Sequence, residues 1–169
     1  MNIRIKEKDV KLQKAFTLIE LMIVMAIMAF LAGIAVPQYF HYQLRARQAE
    51  VGMILASLHT AQQVYFAENG KYTTVLNGDQ GLNWKPEGYR GGGADENFYY
   101  TYGFNVPGAQ EGVHYFTGKL GAAKENLGQS HADQSSFLAK AAGDLRGKND
   151  IDVWQIDESR KITHVQNGL

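Results

Sequence analysis

The chain of 169 residues has no cysteine, three prolines and no excess charge of either sign. Without cysteine no disulfide can staple the fold, and zinc-thiolate centres and thiol nucleophiles are excluded, so stability must come from packing. With 17 basic and 17 acidic side chains, the chain as a whole has no field to draw nucleic acid or acidic lipid. Catalytic and metal-binding signatures are missing as well. The histidines at 41, 59, 114, 131 and 164 have no ligand-like spacing, and neither His-Glu-x-x-His nor Gly-x-Ser-x-Gly occurs. Residues 88–95, GYRGGGAD, lack the Lys-Ser/Thr ending and following apolar helix of a phosphate loop, and read as a flexible segment. The sequence therefore points away from an enzyme, and no cofactor is expected.

What is present is strongly segmented. Residues 1–15 hold five basic side chains (Arg4, Lys6, Lys8, Lys11, Lys14) against Glu7 and Asp9. Residues 16–36, FTLIELMIVMAIMAFLAGIAV, then run for 21 positions with one charge, Glu20, and no proline. At about 1.5 Å per residue such a helix crosses a hydrocarbon core of about 30 Å. The basic leader places its start on the cytoplasmic side. From Pro37 to Asn69 the pattern becomes amphipathic, with Phe40, Leu44, Val51, Leu55, Leu58 and Tyr65 on the apolar side and Gln43, Arg45, Glu50, Gln62, Gln63 and Glu68 on the other. Gly70 follows at the position of a left-handed cap. The two segments are expected to form one helix of about 50 residues, with Gly33 and Pro37 as its weak joint.

Beyond Gly70 the pattern is that of strands and loops. Residues 76–96 read as a long surface loop; residues 97–105, 114–120 and 136–142 read as strands, and residues 153–156 and 161–165 as a hairpin about a turn at 157–160. The aromatics Tyr99, Tyr100, Tyr102, Phe104, Tyr115 and Phe116 suit a sheet core better than a base-stacking surface, so nucleic acid is not an expected partner. The expected fold is α+β, a long N-terminal helix packed on a C-terminal antiparallel sheet.

Three readings account for the first third of the chain. An ordinary secretory signal peptide would be cut near Ala32-Gly33-Ile34-Ala35, but the apolar run is too long for it, contains a carboxylate and continues into a second helical pattern. A plain anchor for a periplasmic domain explains the length and leaves Glu20 unexplained. In the third, the chain is cut between Ala15 and Phe16. The new α-amino group then lies four residues from Glu20, and in a stack of identical subunits the amine of one meets the carboxylate of the next. A wrong axial offset would leave both charges unpaired, so the pair would set register.

The stretch from Lys14 to Val24, KAFTLIELMIV, with Pro37 and the Ala-Arg-Gln-Ala-Glu segment at 46–50, resembles the type IV pilins and pilin-like proteins. The likeness runs over residues 1 to about 72. It implies a leader at 1–15, a transmembrane and filament-core helix at 16–36, an amphipathic half at 37–70 and a β-sheet head at 71–169. It also implies a prepilin peptidase that cuts at Ala15-Phe16 and methylates the amine of Phe16. The partners implied are other copies of the chain and minor pilins in a helical filament, an inner-membrane platform protein and an assembly ATPase. The subunit would sit in the inner membrane as a single-pass protein, N-terminus cytoplasmic, and leave it for an extracellular pilus serving motility, adhesion or DNA uptake. A pseudopilin of a type II secretion system is the alternative within the family. The sequence departs from the family in Ala15, where glycine is usual, and in the absence of a C-terminal disulfide. Some pilin-like secretion proteins bind calcium near the C-terminus. Asp144, Asp150, Asp152, Asp157 and Glu158 lie there, and read first as turn residues because they lack EF-hand spacing. Asp150, Asp152 and Asp157 are the calcium candidates among them.

Overall fold

A computed structural model describes residues 16–169. It contains one long helix, α1 (Leu18–Asn69), followed by six strands: β1 (Thr101–Gly103), β2 (Tyr115–Phe116), β3 (His131–Ala132), β4 (Phe137–Gly143), β5 (Asp152–Asp157) and β6 (Ile162–Gln166). The chain divides into two compact units within α1, between His41 and Tyr42.

In the first unit, the described residues up to His41 are all exposed, and their apolar side chains point outward on every side of the helix. The residues from Leu18 onward are long and apolar enough to cross a membrane. Pro37 lies inside the helix. It has no N–H to offer the carbonyl of Gly33, the residue one turn earlier, so one rung of the helical ladder is missing there.

In the second unit the rest of α1 packs on the sheet. Val51, Leu55, Leu58 and Gln62 are fully buried, at intervals of four, three and four residues that keep them on one helical face. Leu44 and Tyr65 of the expected stripe are half-buried; Phe40, which precedes the second unit, is 57% exposed. Gln62, expected on the polar side, is the marked departure. Its amide donates to the carbonyl of Thr73 at 2.6 Å and accepts from the Thr73 N–H at 3.2 Å, so one side chain satisfies both backbone groups of that residue. Gly70 ends the helix with φ of +68° and donates to the carbonyl of Phe66, as a left-handed cap requires.

The sheet has the order β2-β1-β4-β5-β6, with β3 paired to β4, and every pairing is antiparallel. Tyr102 of β1 faces Phe116 of β2 on one side and Ala141 of β4 on the other; Ala139 of β4 faces Ile156 of β5. Tyr100, Tyr102, Phe104, Phe116 and Phe137 are fully or almost fully buried with the α1 stripe. The expected strand at 97–105 shrinks to three residues and that at 114–120 to two, whereas the hairpin extends by a residue at most ends. β3 and a 3₁₀ turn at Lys124–Leu127 had no signal in the sequence, being only two and four residues long. Residues 76–96 form no helix or strand, yet the segment is no mere surface loop. Leu76, Pro86 and Glu96 are buried, and the indole N–H of Trp84 donates to the Ser57 hydroxyl on α1 at 3.1 Å. Four aromatic or aliphatic anchors, Leu76, Leu82, Trp84 and Tyr89, pull it onto the core.

Candidate functional site

Two places concentrate the chemistry. The first is the start of α1. Thr17 and Glu20 form a reciprocal pair, in which the Glu20 N–H donates to the Thr17 hydroxyl oxygen at 3.2 Å while the Thr17 N–H and hydroxyl reach Glu20 Oε2 at 3.3 and 3.2 Å. This is a capping box: Thr-x-x-Glu satisfies two N–H groups that the helix start leaves without partners. The signal is local, the spacing Thr17-Leu18-Ile19-Glu20, and it gives the carboxylate a use within its own chain beside its cost in an apolar run. Both contacts from Thr17 go to Oε2, which leaves Oε1 for a further donor. Negative charge is also favoured here by the helix dipole. Ala15 of the expected cut lies outside the described residues. Phe16 beside it is 80% exposed, and apolar side chains at 18, 19, 21–25, 27, 28, 30, 31, 34 and 36 continue that surface. An uncovered apolar surface of this extent needs lipid or a protein partner.

The second place is the closing end of the sheet. Asp152, the first residue of β5, has no exposed surface, and its carboxylate accepts five hydrogen bonds. Oδ1 receives the amide of Gln48 from α1 at 3.1 Å, the ring Nε2 of His164 from β6 at 2.7 Å and the backbone N–H of Gly168 at 3.1 Å. Oδ2 receives the hydroxyl of Tyr100 at 2.5 Å and the indole N–H of Trp154 at 2.8 Å. The Trp154 and His164 rings stack across β5 and β6 at 3.9 Å and 8°. A register shift between Val153 and Trp154 sets this geometry. Burial by itself would raise the Asp152 carboxyl; the bonds from Tyr100, His164, Gly168 and Trp154 outweigh it and hold the group below the ordinary aspartate value. Burial, and then the bond to Asp152, keep the Tyr100 hydroxyl protonated far above its usual range. One carboxylate thus gathers α1, β5, β6, the segment before β1 and the chain end.

The three calcium candidates do not meet. Asp152 is occupied by its five donors, Asp150 is exposed, and Asp157 accepts from the Ser159 N–H at 3.0 Å and the Lys161 N–H at 3.0 Å, holding the β5–β6 turn. Asp144 does the same for residues 147–149. Among the described residues no group of three or more His, Cys, Asp or Glu side chains is arranged to hold a metal ion. Glu158 takes part through its backbone, since the His59 ring and the Gln63 amide on α1 both donate to its carbonyl, at 3.0 and 3.2 Å.

Residues 10–36 match the family model of the prokaryotic N-terminal methylation motif. Over 64 residues the chain is 45% identical to the type IV major pilin protein PilA of Myxococcus xanthus, a stretch covering 38% of this chain and 29% of that protein. Over 61 residues it is 44% identical to the type IV major pilin protein PilE1 of Neisseria gonorrhoeae, covering 36% of this chain and 37% of the relative. Over 74 residues it is 35% identical to the type II secretion system core protein G of Klebsiella michiganensis, covering 44% and 52%. The match therefore spans about a third of the length of those two pilins. The relatives are thus two type IV major pilins and a core protein of a type II secretion system. With a methylation motif and a long apolar helix at its start and an antiparallel sheet after it, the chain is similar over its first third to the type IV pilins.

Proposed function

We propose that this chain is a structural subunit of a type IV pilus, cut between Ala15 and Phe16, methylated on the amine of Phe16 and polymerised through α1 into a helical filament. The observation that carries the reading is the first part of α1, up to His41, exposed on every side and largely apolar, with Glu20 as the one carboxylate in its first turn. Held in the inner membrane with its start toward the cytoplasm, the helix meets lipid; in a filament it meets copies of itself. In the lone subunit the Glu20 carboxylate leans on Thr17 through Oε2. In the stack, Oε1 would accept from the amine of a neighbour's Phe16, a charge-assisted bond that forms at one axial offset. Prepilin peptidase, the platform protein, the assembly ATPase and minor pilins are the partners of this reading.

The test is filament assembly by the Glu20→Ala variant. The reading expects normal amounts of membrane-inserted protein and few or no filaments in electron micrographs; filaments as abundant as those of the parent chain would refute the register role.

A pseudopilin of a type II secretion system is the second reading, favoured by the likeness to core protein G over 74 residues. Surface filaments sheared from cells and containing this chain as a principal component support the pilus; secretion failure without such filaments supports the pseudopilus. A signal-anchored periplasmic domain is the remaining alternative, and an uncut chain beginning at Met1 would favour it.

A further inference from the structure

The chain contains three asparagine-glycine pairs, Asn69-Gly70, Asn77-Gly78 and Asn167-Gly168. In such a pair the asparagine side chain can close on its own backbone, because the following residue has no Cβ to crowd the approach. The attacking atom is the glycine nitrogen, which attacks only after its N–H has given up a proton. An N–H held in a hydrogen bond gives up its proton only when that bond opens. The fold treats the three pairs differently.

Gly70 ends α1, and its N–H donates to the carbonyl of Phe66 at 2.8 Å, while the Asn69 amide donates to the carbonyl of Tyr65 at 3.0 Å. Gly168 is buried and its N–H donates to Asp152 Oδ1 at 3.1 Å; the Asn167 amide oxygen accepts from the Leu169 N–H at 3.1 Å. In both pairs the nitrogen and the side chain are engaged. Gly78, by contrast, is exposed at φ of +134°, and among the described residues its N–H meets no acceptor. One bond holds the Asn77 side chain, from its amide to the carbonyl of Gly112 at 3.2 Å.

We propose that Asn77-Gly78 is a site of spontaneous self-modification, deamidation through a cyclic imide, and that the fold protects the other two pairs. The Gly78 nitrogen loses its proton to water and attacks Asn77 Cγ. The N–Cγ bond forms, the Cγ–Nδ2 bond breaks, and ammonia leaves with a proton returned by water. A water molecule then opens the ring. Breaking the new N–Cγ bond leaves aspartate; breaking the former peptide C–N bond leaves isoaspartate, with the chain rerouted through Cγ. The sum is amide plus water to carboxylate plus ammonium, and no oxidant or reductant takes part.

Position 77 matters to the head. The N–H groups of Leu76 and Asn77 both donate to the carbonyl of Val113, at 2.7 and 3.2 Å, which fastens the segment after α1 to the turn before β2. After conversion the donor to Gly112 is gone and a carboxylate stands before a carbonyl oxygen, an unfavourable exchange. In isoaspartate the backbone is also longer by one atom. The modification would mark a subunit by its age, adding one negative charge and loosening the fastening at residues 76–77.

The experiment is a time course of the full chain in detergent micelles, in warm and mildly alkaline buffer, followed by peptide mapping with mass spectrometry. The peptide holding Asn77 is expected to gain the mass difference between amide and carboxyl several-fold faster than those holding Asn69 and Asn167. In urea, where the hydrogen bonds of Gly70 and Gly168 are lost, the three rates should converge. Asn77→Gln should remove the more acidic species that accumulates in the parent. That species, separated by ion exchange, should melt a few degrees below fresh protein. Equal rates in the folded chain, a difference that persists unchanged in urea, or the acidic species in Asn77→Gln would overturn the proposed site, and an aged fraction that melts with the fresh one would overturn the loosening.

Discussion

A carboxylate moved out of water costs several kcal/mol unless donors surround it. Asp152 meets that demand with five donors, of which one is the backbone N–H of Gly168 and one the indole of Trp154. Replacement by asparagine would turn one acceptor into a donor facing other donors, so Asp152→Asn is expected to cost about 3 kcal/mol, read as a fall in the urea midpoint of the head. The pH dependence follows from the direction of the shift. Asp152 is held below its ordinary value in the fold, so its contribution is complete above the unfolded aspartate value, about 4, and fades as the pH falls toward and through the folded value. Stability of the parent should fall more steeply in that window than that of Asp152→Asn, which keeps only the contributions of other carboxylates such as Asp157. In the sequence Asp152 was one acid among several. What distinguishes it is the convergence of Gln48, Tyr100, His164 and Gly168, residues up to 104 positions away, which no local pattern contains. Glu20 is the opposite case, since both the charge in a greasy run and the Thr-x-x-Glu spacing are local and legible.

At the scale of elements, α1 was legible because one period governs it. Val51, Leu55 and Leu58 repeat at three and four residues and are all buried, and truncating Leu55 or Leu58 to alanine should cost roughly 2–5 kcal/mol of head stability. Gln62 keeps the same spacing but carries an amide, and hydropathy alone assigned it to solvent. Its place depends on Thr73, whose N–H and carbonyl would otherwise be unpaired under the helix end. Gln62→Leu is therefore expected to destabilise the head by about 2 kcal/mol or more despite raising hydrophobicity, measured by chemical denaturation. The short strands were hard to read for a related reason: β1 and β2 are three and two residues long and owe their pairing to buried aromatics and to α1 rather than to alternation. The missing rung between Gly33 and Pro37 gives a further test within α1. Pro37→Ala should raise amide protection around residues 33–37 in micelles, measured by hydrogen exchange, if the pair is a weak joint in the helix.

At the scale of the molecule the two units carry different tasks. The described residues up to His41 have no covering and the head has a closed core of its own. Changes in one should leave the other intact, and Glu20→Ala is accordingly expected to leave the Tm of the head unchanged while filaments disappear. The absence of cysteine acquires a physical counterpart here. Asp152 joins Gly168 to β5 and to Tyr100, while His59 and Gln63 hold the β5–β6 turn to α1, so the chain end is fastened by hydrogen bonds buried among aromatics. This closure should be insensitive to reductant.

In the proposed filament the chain is cut ahead of Phe16, so that a new amine can meet Glu20 in a neighbour. The most direct test is the intact mass of this chain recovered from sheared filaments. A protein that begins at Phe16 and carries one methyl group on its amine is expected. A terminus near Val36, or an uncut chain beginning at Met1, would contradict the proposed cut.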